Sequence, residues 1–339
     1  MKLKIITVNN YFGQGLPTEF SLDLYKLQSY LNSYSHDVDF IDIQYLQYTA
    51  VEKDTLYITG SHQNRDIKKY IDDCVSVIFS SDNSELLIPS PKNLLAHDNK
   101  GVQALIAQRI GAEFFPKQNY FYRCEKINQP KVIKAPAGAG SSGVELVRTS
   151  KQLERCINKF VRYEYNIKDI SFLVKNFLKK MIFKSKYSKK FTEYHKKYGL
   201  YCLQDFYDGL QNDFKVLVFG DTSYVLERKV RKGSFKASGS GKFSYPEIDV
   251  GLLNFSHKLR EKLDTPYVSL DVVKLQDGSY KCIEFQCVHF GPYTQLNAKH
   301  KYVKTPEGAW VKEVNDLTLE GVYAQAINEF IQNAKKYRI

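Results

Sequence analysis

Asp271 and Glu284 stand in two apolar runs, VSLDVVKL (268–275) and YKCIEF (280–285), joined by Gln276-Asp277-Gly278-Ser279. That pattern predicts a plain hairpin, and with the right register it puts both carboxylates on one face. Gln286, two residues past Glu284, would project to the same face. Two carboxylates and an amide oxygen form a hard-cation set, suited to a Mg2+ ion that keeps several waters and bridges to phosphate oxygens. The competing reading is that one or both carboxylates face solvent, as strand carboxylates usually do.

A second group is the stretch VIKAPAGAGSSGVELV (132–147), where Gly138, Gly140 and Gly143 fall in a G-x-G-x-x-G spacing. Backbone amides of such a loop can cradle phosphate, and Ser141 and Ser142 permit close approach. In a dinucleotide-binding unit the last glycine opens a helix. Here it opens Val144-Glu145-Leu146-Val147, which alternates as a strand, and the helix signal waits until Thr149, three residues before Gln152 in a capping-box spacing. The predicted unit is strand, glycine turn, strand. A protein kinase places its nucleotide lysine after the loop, whereas Lys134 precedes it. A ligand-free surface turn is the alternative.

The elements that must position these groups follow from length and pattern. At 339 residues, 43% hydrophobic and 25% charged, the chain is long enough for two or three packed subdomains. No window approaches a membrane span and MKLKIITVNNYFGQG holds too short an apolar run for a signal peptide, so the expected compartment is the cytoplasm. Six cysteines without C-x-x-C pairs suggest neither zinc site nor disulfide framework. The first hundred residues alternate strands (2–8, 38–43, 55–59) with a helix (21–31), which reads as a small open α/β domain. Pro89 and Pro91 mark a connection, and a helix runs from Asn99 to Ile110 until Gly111 stops it. Three strands, 200–206, 212–220 and 223–230, read as an antiparallel meander; residues 231–243 read as a basic loop, and helices are predicted over 251–263 and 319–335.

The net charge of +12 is local. Residues 151–200 hold 14 Lys or Arg against 4 Asp or Glu. From Ile170 the residues Leu173, Phe177 and Met181, with Val174, Leu178 and Ile182 beside them, recur at helical spacing, while Lys175, Lys179, Lys180 and Lys184 lie mostly off that stripe. Either the stripe docks on the protein's own core with its lysines solvated, or the helix carries lysines to an anionic membrane or glycan. Nucleic acid is not implied, because no groove-reading motif accompanies the patch.

The order of parts resembles the ATP-grasp superfamily over roughly residues 85 to 295. A helix start bears Asp98 and Lys100, Lys134 precedes a glycine hairpin, Gln204-Asp205-Phe206 ends a strand, Asp213 and Lys215 form a D-x-K pair, Arg228 sits on the next strand, and Asp271 and Glu284 follow. Two details depart from the family's pattern: Glu284-Phe285-Gln286 stands for Glu-x-Asn, and D-x-K replaces D-x-R, exchanging a bidentate clamp for a point charge. GSFKASGSGKFSYPEID (233–249) with SLDVVKLQDGSYKCIEFQ (269–286) looks more narrowly like ATP-grasp proteins of bacterial capsule and surface-polysaccharide loci.

The resemblance implies a mixed α/β (α+β sandwich) fold: an N-terminal open α/β domain (1–95), an ATP-grasp subdomain with the glycine hairpin and a basic helical insertion (96–203, insertion about 162–198), and a C-terminal subdomain with the metal site (204–339), the last two clasping ATP. It implies an ATP- and Mg2+-dependent ligase, with Mn2+ as a substitute metal, that joins a carboxylate to an amine through an acyl phosphate in surface-polysaccharide synthesis, in the cytoplasm or peripherally at the inner membrane face. Lys100, Lys134 and the amides of 138–143 would hold phosphates, Gln204, Asp205 and Phe206 the adenine, and Asp208 the ribose. Lys215 and Lys236 would reach the γ-phosphate and Arg228 would orient the acyl phosphate. Arg231, Ser238, Ser240, His289 and Tyr293 would line the substrate pocket; a core-filling His289 and Tyr293 is the alternative. A kinase that stops at phosphoryl transfer, and a binding module for an anionic glycan, are the rival functions.

Overall fold

A computed structural model describes every residue except 139–142, 164, 232, 238, 240 and 338–339. It divides into two compact units, Met1–Pro116 with Tyr207–Ile339, and Lys117–Phe206.

The larger unit opens with a parallel sheet of β1 (Lys2–Thr7), β2 (Asp37–Asp42), β3 (Thr55–Thr59) and β4 (Leu87–Ile88), in the order β2-β1-β3-β4. Crossover helices connect the strands, and each starts where a polar side chain takes an orphan amide: Asp23 accepts from Lys26 N–H ahead of the helix Leu24–Ser33, and Asn64 from Asp66 and Ile67 ahead of Arg65–Ile78. The helix Lys100–Ile110 is capped by Asn99, whose side chain accepts from Val102 N–H, and ends at Gly111 with φ of +121°.

The smaller unit is an antiparallel sheet of β5 (Gln118–Phe121), β6 (Lys131–Lys134), β7 (Val144–Val147) and β8 (Tyr201–Asp205), ordered β5-β8-β6-β7. The helix Ser150–Tyr163 covers one face, where Leu153 and Ile157 pack with Ile133, Tyr201 and Leu203. The expected capping box is displaced by one residue, since Thr149 accepts from Gln152 N–H but Gln152 Oε1 accepts from Arg148 N–H. Strand 201–205 does not continue into a meander with the next two strands; it pairs with β5 and β6 because Tyr201 and Leu203 complete this small core. Alternation tells a strand which face is buried, but not which neighbour it takes.

The second sheet of the larger unit has β9 (Asn212–Phe219), β10 (Thr222–Lys229), β11 (Phe243–Ser244), β12 (Tyr267–Lys274), β13 (Tyr280–Gln286), β14 (His300–Lys304) and β15 (Trp310–Val314), ordered β13-β12-β9-β10-β14-β15 with β11 on β10. Its two faces are distinct. Val216, Val218, Val268, Leu270 and Val272 pack with Leu252, Leu253 and Leu259 of the helix Val250–Leu263. On the other face Leu217, Phe219 and Tyr267 pack with Val322, Tyr323 and Ile327 of the helix Leu319–Tyr337. The rest of that second face carries Asp213, Lys215, Arg228 and Asp271.

In the basic segment, the helix Ile167–Met181 is closed by a capping box between Asn166 and Asp169. Its apolar stripe does not dock on the core: Ile170, Leu173, Val174, Phe177, Leu178 and Met181 are all exposed.

Gly143, at φ +68°, carries the return into β7, and an added Cβ would lie 2.7 Å from the Ala135 Cβ. Gly143→Ala is therefore expected to destabilise the protein by about 1 kcal/mol or more. An unchanged thermal midpoint would contradict that geometry.

Candidate functional site

Antiparallel register builds the site. Counting outward from the Gly220-Asp221 turn, Asp213 on β9 lies opposite Arg228 on β10, while Lys215 lies opposite Asp271 on β12, and Asp271 opposite Glu284 on β13. Directly paired residues share a face, so five charged side chains from four neighbouring strands converge.

Glu284 reaches this face through an irregularity. The register shifts between Asp271 and Val272, leaving Ile283 as an extra residue between Glu284 and Cys282. Tyr280 and Cys282 point into the core shared with the helix Val250–Leu263. Strict alternation from them would send Glu284 into that core; the bulge turns it to the side of Asp271 instead and sends Phe285 inward.

Arg228 is 7% exposed and grips Asp213 with two donors, Nε to Oδ1 at 2.6 Å and Nη2 to Oδ2 at 2.9 Å. Nη2 also lies 2.8 Å from Asp271 Oδ2, and Lys215 Nζ lies 3.4 Å from Asp271 Oδ1. Burial alone would raise the Asp271 pKa, but Arg228 and Lys215 outweigh it and hold the carboxyl well below the usual range. Asp213 shifts the other way, because burial, with the Asp271 charge adding to it, exceeds the pull of Arg228. The single guanidinium thus serves two carboxylates whose titrations burial and charge drive apart.

Beside Asp271, Glu284 is partly exposed, with Lys100 Nζ 3.6 Å from its Oε1. Lys100 itself is 4% exposed at the first turn of its helix. Gln286 departs from its expected role as a third metal ligand: its Oε1 meets His97 Nδ1 at 2.9 Å and accepts from Asp98 N–H at 3.2 Å. Its extra methylene carries the amide past the carboxylates to the start of the Lys100 helix. Among the described residues no group of three or more His, Cys, Asp or Glu could hold a metal. Asp271 and Glu284 still fit a Mg2+ ion that takes its other ligands from water and phosphate.

His97 was missed by sequence reasoning. Burial pushes it down to about 4, so it is neutral and can donate from Nδ1 to Gln286. His289 lies against it with ring centroids 5.3 Å apart, and Tyr11 lies 6.0 Å from His289. His289 is 2% exposed, burial pushes it down to about 3, and neither ring nitrogen has a hydrogen-bond partner among the described residues. Tyr293 is exposed and rests on Phe243, apart from this imidazole pair. Asp213 was visible as half of D-x-K, and equal counting from the turn identifies it as the partner of Arg228.

In the smaller unit Lys134, 6% exposed, ends β6 opposite Cys202, and Gln204 lies opposite Val132. Lys134 and Gln204 therefore share the face away from the helix Ser150–Tyr163, and Gln204 Nε2 donates to Gln118 Oε1 at 3.1 Å. Asp205 turns to the opposite face, pairs with Lys131, and donates its N–H to Lys117 O at 2.9 Å. Phe206 is half-buried at the end of the unit. Gly138 (φ +128°) and Gly143 flank the loop at the Lys134 end, Ala135 N–H donating to Gly143 O at 2.8 Å. Gly140, Ser141 and Ser142 lie outside the described residues. Lys134 and the end of β8 are separated by three residues of strand, roughly 10 Å.

The remaining candidates are on loops. Asp208 is exposed and its carboxylate accepts from Gly209 N–H at 3.0 Å. Arg231 N–H donates to Lys236 O at 3.0 Å, which folds the 231–236 loop back on itself, and Lys236 Nζ lies 5.8 Å from the Phe235 ring centroid. Ser238 and Ser240 lie outside the described residues.

No protein-family model and no curated protein matches the chain. Solved structures do. The chain is similar to a D-cycloserine synthetase, DcsG (11% identity, TM-score 0.52, covering 97% of this chain and 99% of that one). It is similar to the D-alanine–D-alanine ligase of Bacillus anthracis complexed with ATP (10%, 0.50, 100% and 98%). A third is the ATP-grasp ligase PsnB, complexed with a minimal precursor, Mg and ADP (11%, 0.51, 97% and 98%). At these identities the likeness is one of fold, and the fold is ATP-grasp.

Proposed function

We propose that the chain is an ATP- and Mg2+-dependent ligase that joins a carboxylate to an amine through an acyl phosphate. The observation that carries this reading is the convergence of Asp271 and Glu284 with Lys215 and Arg228 on one half-face of a sheet and with Lys100 from the helix beside it, in an ATP-grasp fold. Such chemistry needs positioning and charge neutralisation and no covalent protein nucleophile.

Asp271 and Glu284 would hold the metal, which when bound neutralises phosphate charge. Lys215 and Lys100, now paired with those carboxylates, would turn to phosphate oxygens as the ion takes their place. Lys236 would join Lys215 at the γ-phosphate. Arg228 would orient the acyl phosphate from a position fixed by Asp213. In the smaller unit Lys134 and the glycine-loop amides would hold phosphates and the backbone of 204–206 the adenine; the roughly 10 Å of strand between Lys134 and the end of β8 suits that division. Asp208, just past that unit, would hold the ribose. His289 and Tyr293, with Arg231, Ser238 and Ser240, are assigned to the acid and amine.

Substrate identity is open to a direct test. The narrower likeness to polysaccharide-locus proteins argues for sugar substrates, while the solved structures are named for amino-acid and peptide ligases. Phosphate release should be measured over a matrix of carboxylates (amino acids, short peptides, uronic acids) and amines. A ligase releases phosphate only when acid and amine are both present; phosphate retained on a single acceptor would make the protein a kinase.

Lys134→Ala is expected to raise the apparent KM for ATP by about tenfold or more, with a smaller change in kcat, because a cation that binds ground and transition states alike is lost. Equal KM in the variant would remove Lys134 from the nucleotide site.

A further inference from the structure

We propose that the helix Ile167–Met181 is an interfacial helix that seats the protein on an anionic lipid bilayer. Its orientation is inverted relative to that of an ordinary surface helix. The inward face carries Asn176, which is 7% exposed, and Phe172, which packs on Phe191 and His195 at ring-centroid distances of 5.9 and 5.2 Å. Lys197 Nζ holds Asp169 at 2.5 Å and fixes the first turn. At 100° per residue the opposite face collects Ile170, Leu173, Val174, Phe177, Leu178 and Met181, which are between 43% and 62% exposed.

A contiguous apolar arc of this size, turned outward and held there by its own back face, marks an interaction surface. Charge selects the partner. Lys180 borders the arc on one side and Lys175 flanks it on the other, Lys179 falls on the back face beside Phe172, and Lys184, Lys186, Lys189 and Lys190 follow the helix. All are exposed or half-exposed. Apolar side chains reaching the acyl boundary, with lysine stems lying along it and ammonium groups at the headgroups, match an anionic bilayer surface on both counts. Among the described residues no helix is long and apolar enough to cross the bilayer, so the contact lies in the plane of the interface.

The test is co-sedimentation of the full chain with phosphatidylcholine vesicles with and without phosphatidylglycerol, at low and high salt. Expected is binding to the anionic vesicles that is at least about tenfold stronger than to the neutral ones and is weakened by salt. Phe177→Glu with Met181→Glu should abolish it, while helix content and ATP affinity stay as in the wild type. Lys175→Gln with Lys180→Gln should reduce the anionic preference alone. Equal sedimentation with both vesicles, or none, overturns the proposal. So does a concentration-dependent dimer, without vesicle binding, that the double Glu variant disperses, since the face would then belong to a second copy of the chain. ATP affinity in the same variants separates failure of this proposal from failure of the ligase reading.

Discussion

Asp271→Asn is expected to lower turnover by at least about a hundredfold while the protein still folds. Loss of an outer-shell partner of a metal site typically costs ten- to a hundredfold, and a direct anionic ligand exceeds that. Folding should survive because Arg228 keeps its two bonds to Asp213, so no buried cation is stranded. Glu284→Gln is expected to act in the same direction. Steady-state phosphate release with Mg2+ in excess is the measurement, alongside a thermal melt. Turnover within a few-fold of wild type in either variant would move the metal elsewhere.

The largest effect on stability is expected at Arg228. Arg228→Met removes the guanidinium that grips Asp213 across the hairpin and leaves Asp213 and Asp271 without their shared cation. Removing one member of a buried ion pair costs roughly 3–5 kcal/mol, most of it the penalty on the charge left behind. Chemical denaturation of the variant should show that loss, and adding Asp213→Asn should recover part of it, because one of the stranded carboxylates is then neutral. A loss below about 1 kcal/mol, or no recovery in the double variant, would contradict the arrangement.

Legibility in the sequence followed the range of the interactions. Strands β1, β2, β3, β9, β10, β12 and β13 lie within a residue or two of where alternation places them, and the caps at Asn99 and Gly111 bound their helix as expected. Pairing partners were less legible. Strand β8 reads like its neighbours in sequence, but only the packing of Tyr201 and Leu203 against Ile133 and Leu153 assigns it to the smaller sheet. The charged residues of the site were recognisable one by one, and simple counting from the Gly220-Asp221 turn pairs Asp213 with Arg228. The bulge at Ile283 was not readable, because it is demanded by the competing needs of Cys282 for the core and Glu284 for the opposite face. Nor was the engagement of Gln286 by His97, which is 189 residues away in sequence and depends on how far a glutamine reaches. The outward turn of the 167–181 stripe ran against the pattern rule for the same reason: periodicity identifies an apolar face but not what covers it.

The central claim is that Asp271 and Glu284, with the lysines around them, bind ATP through a divalent cation. Calorimetric titration of the protein with a non-hydrolysable ATP analogue tests it most directly, in Mg2+ and in EDTA, for wild type and Asp271→Asn. The expected result is saturable one-to-one binding that is strong in Mg2+, weakened at least about tenfold in EDTA, and insensitive to EDTA in Asp271→Asn. No binding in Mg2+, or wild-type binding that EDTA and Asp271→Asn leave unchanged, would contradict it.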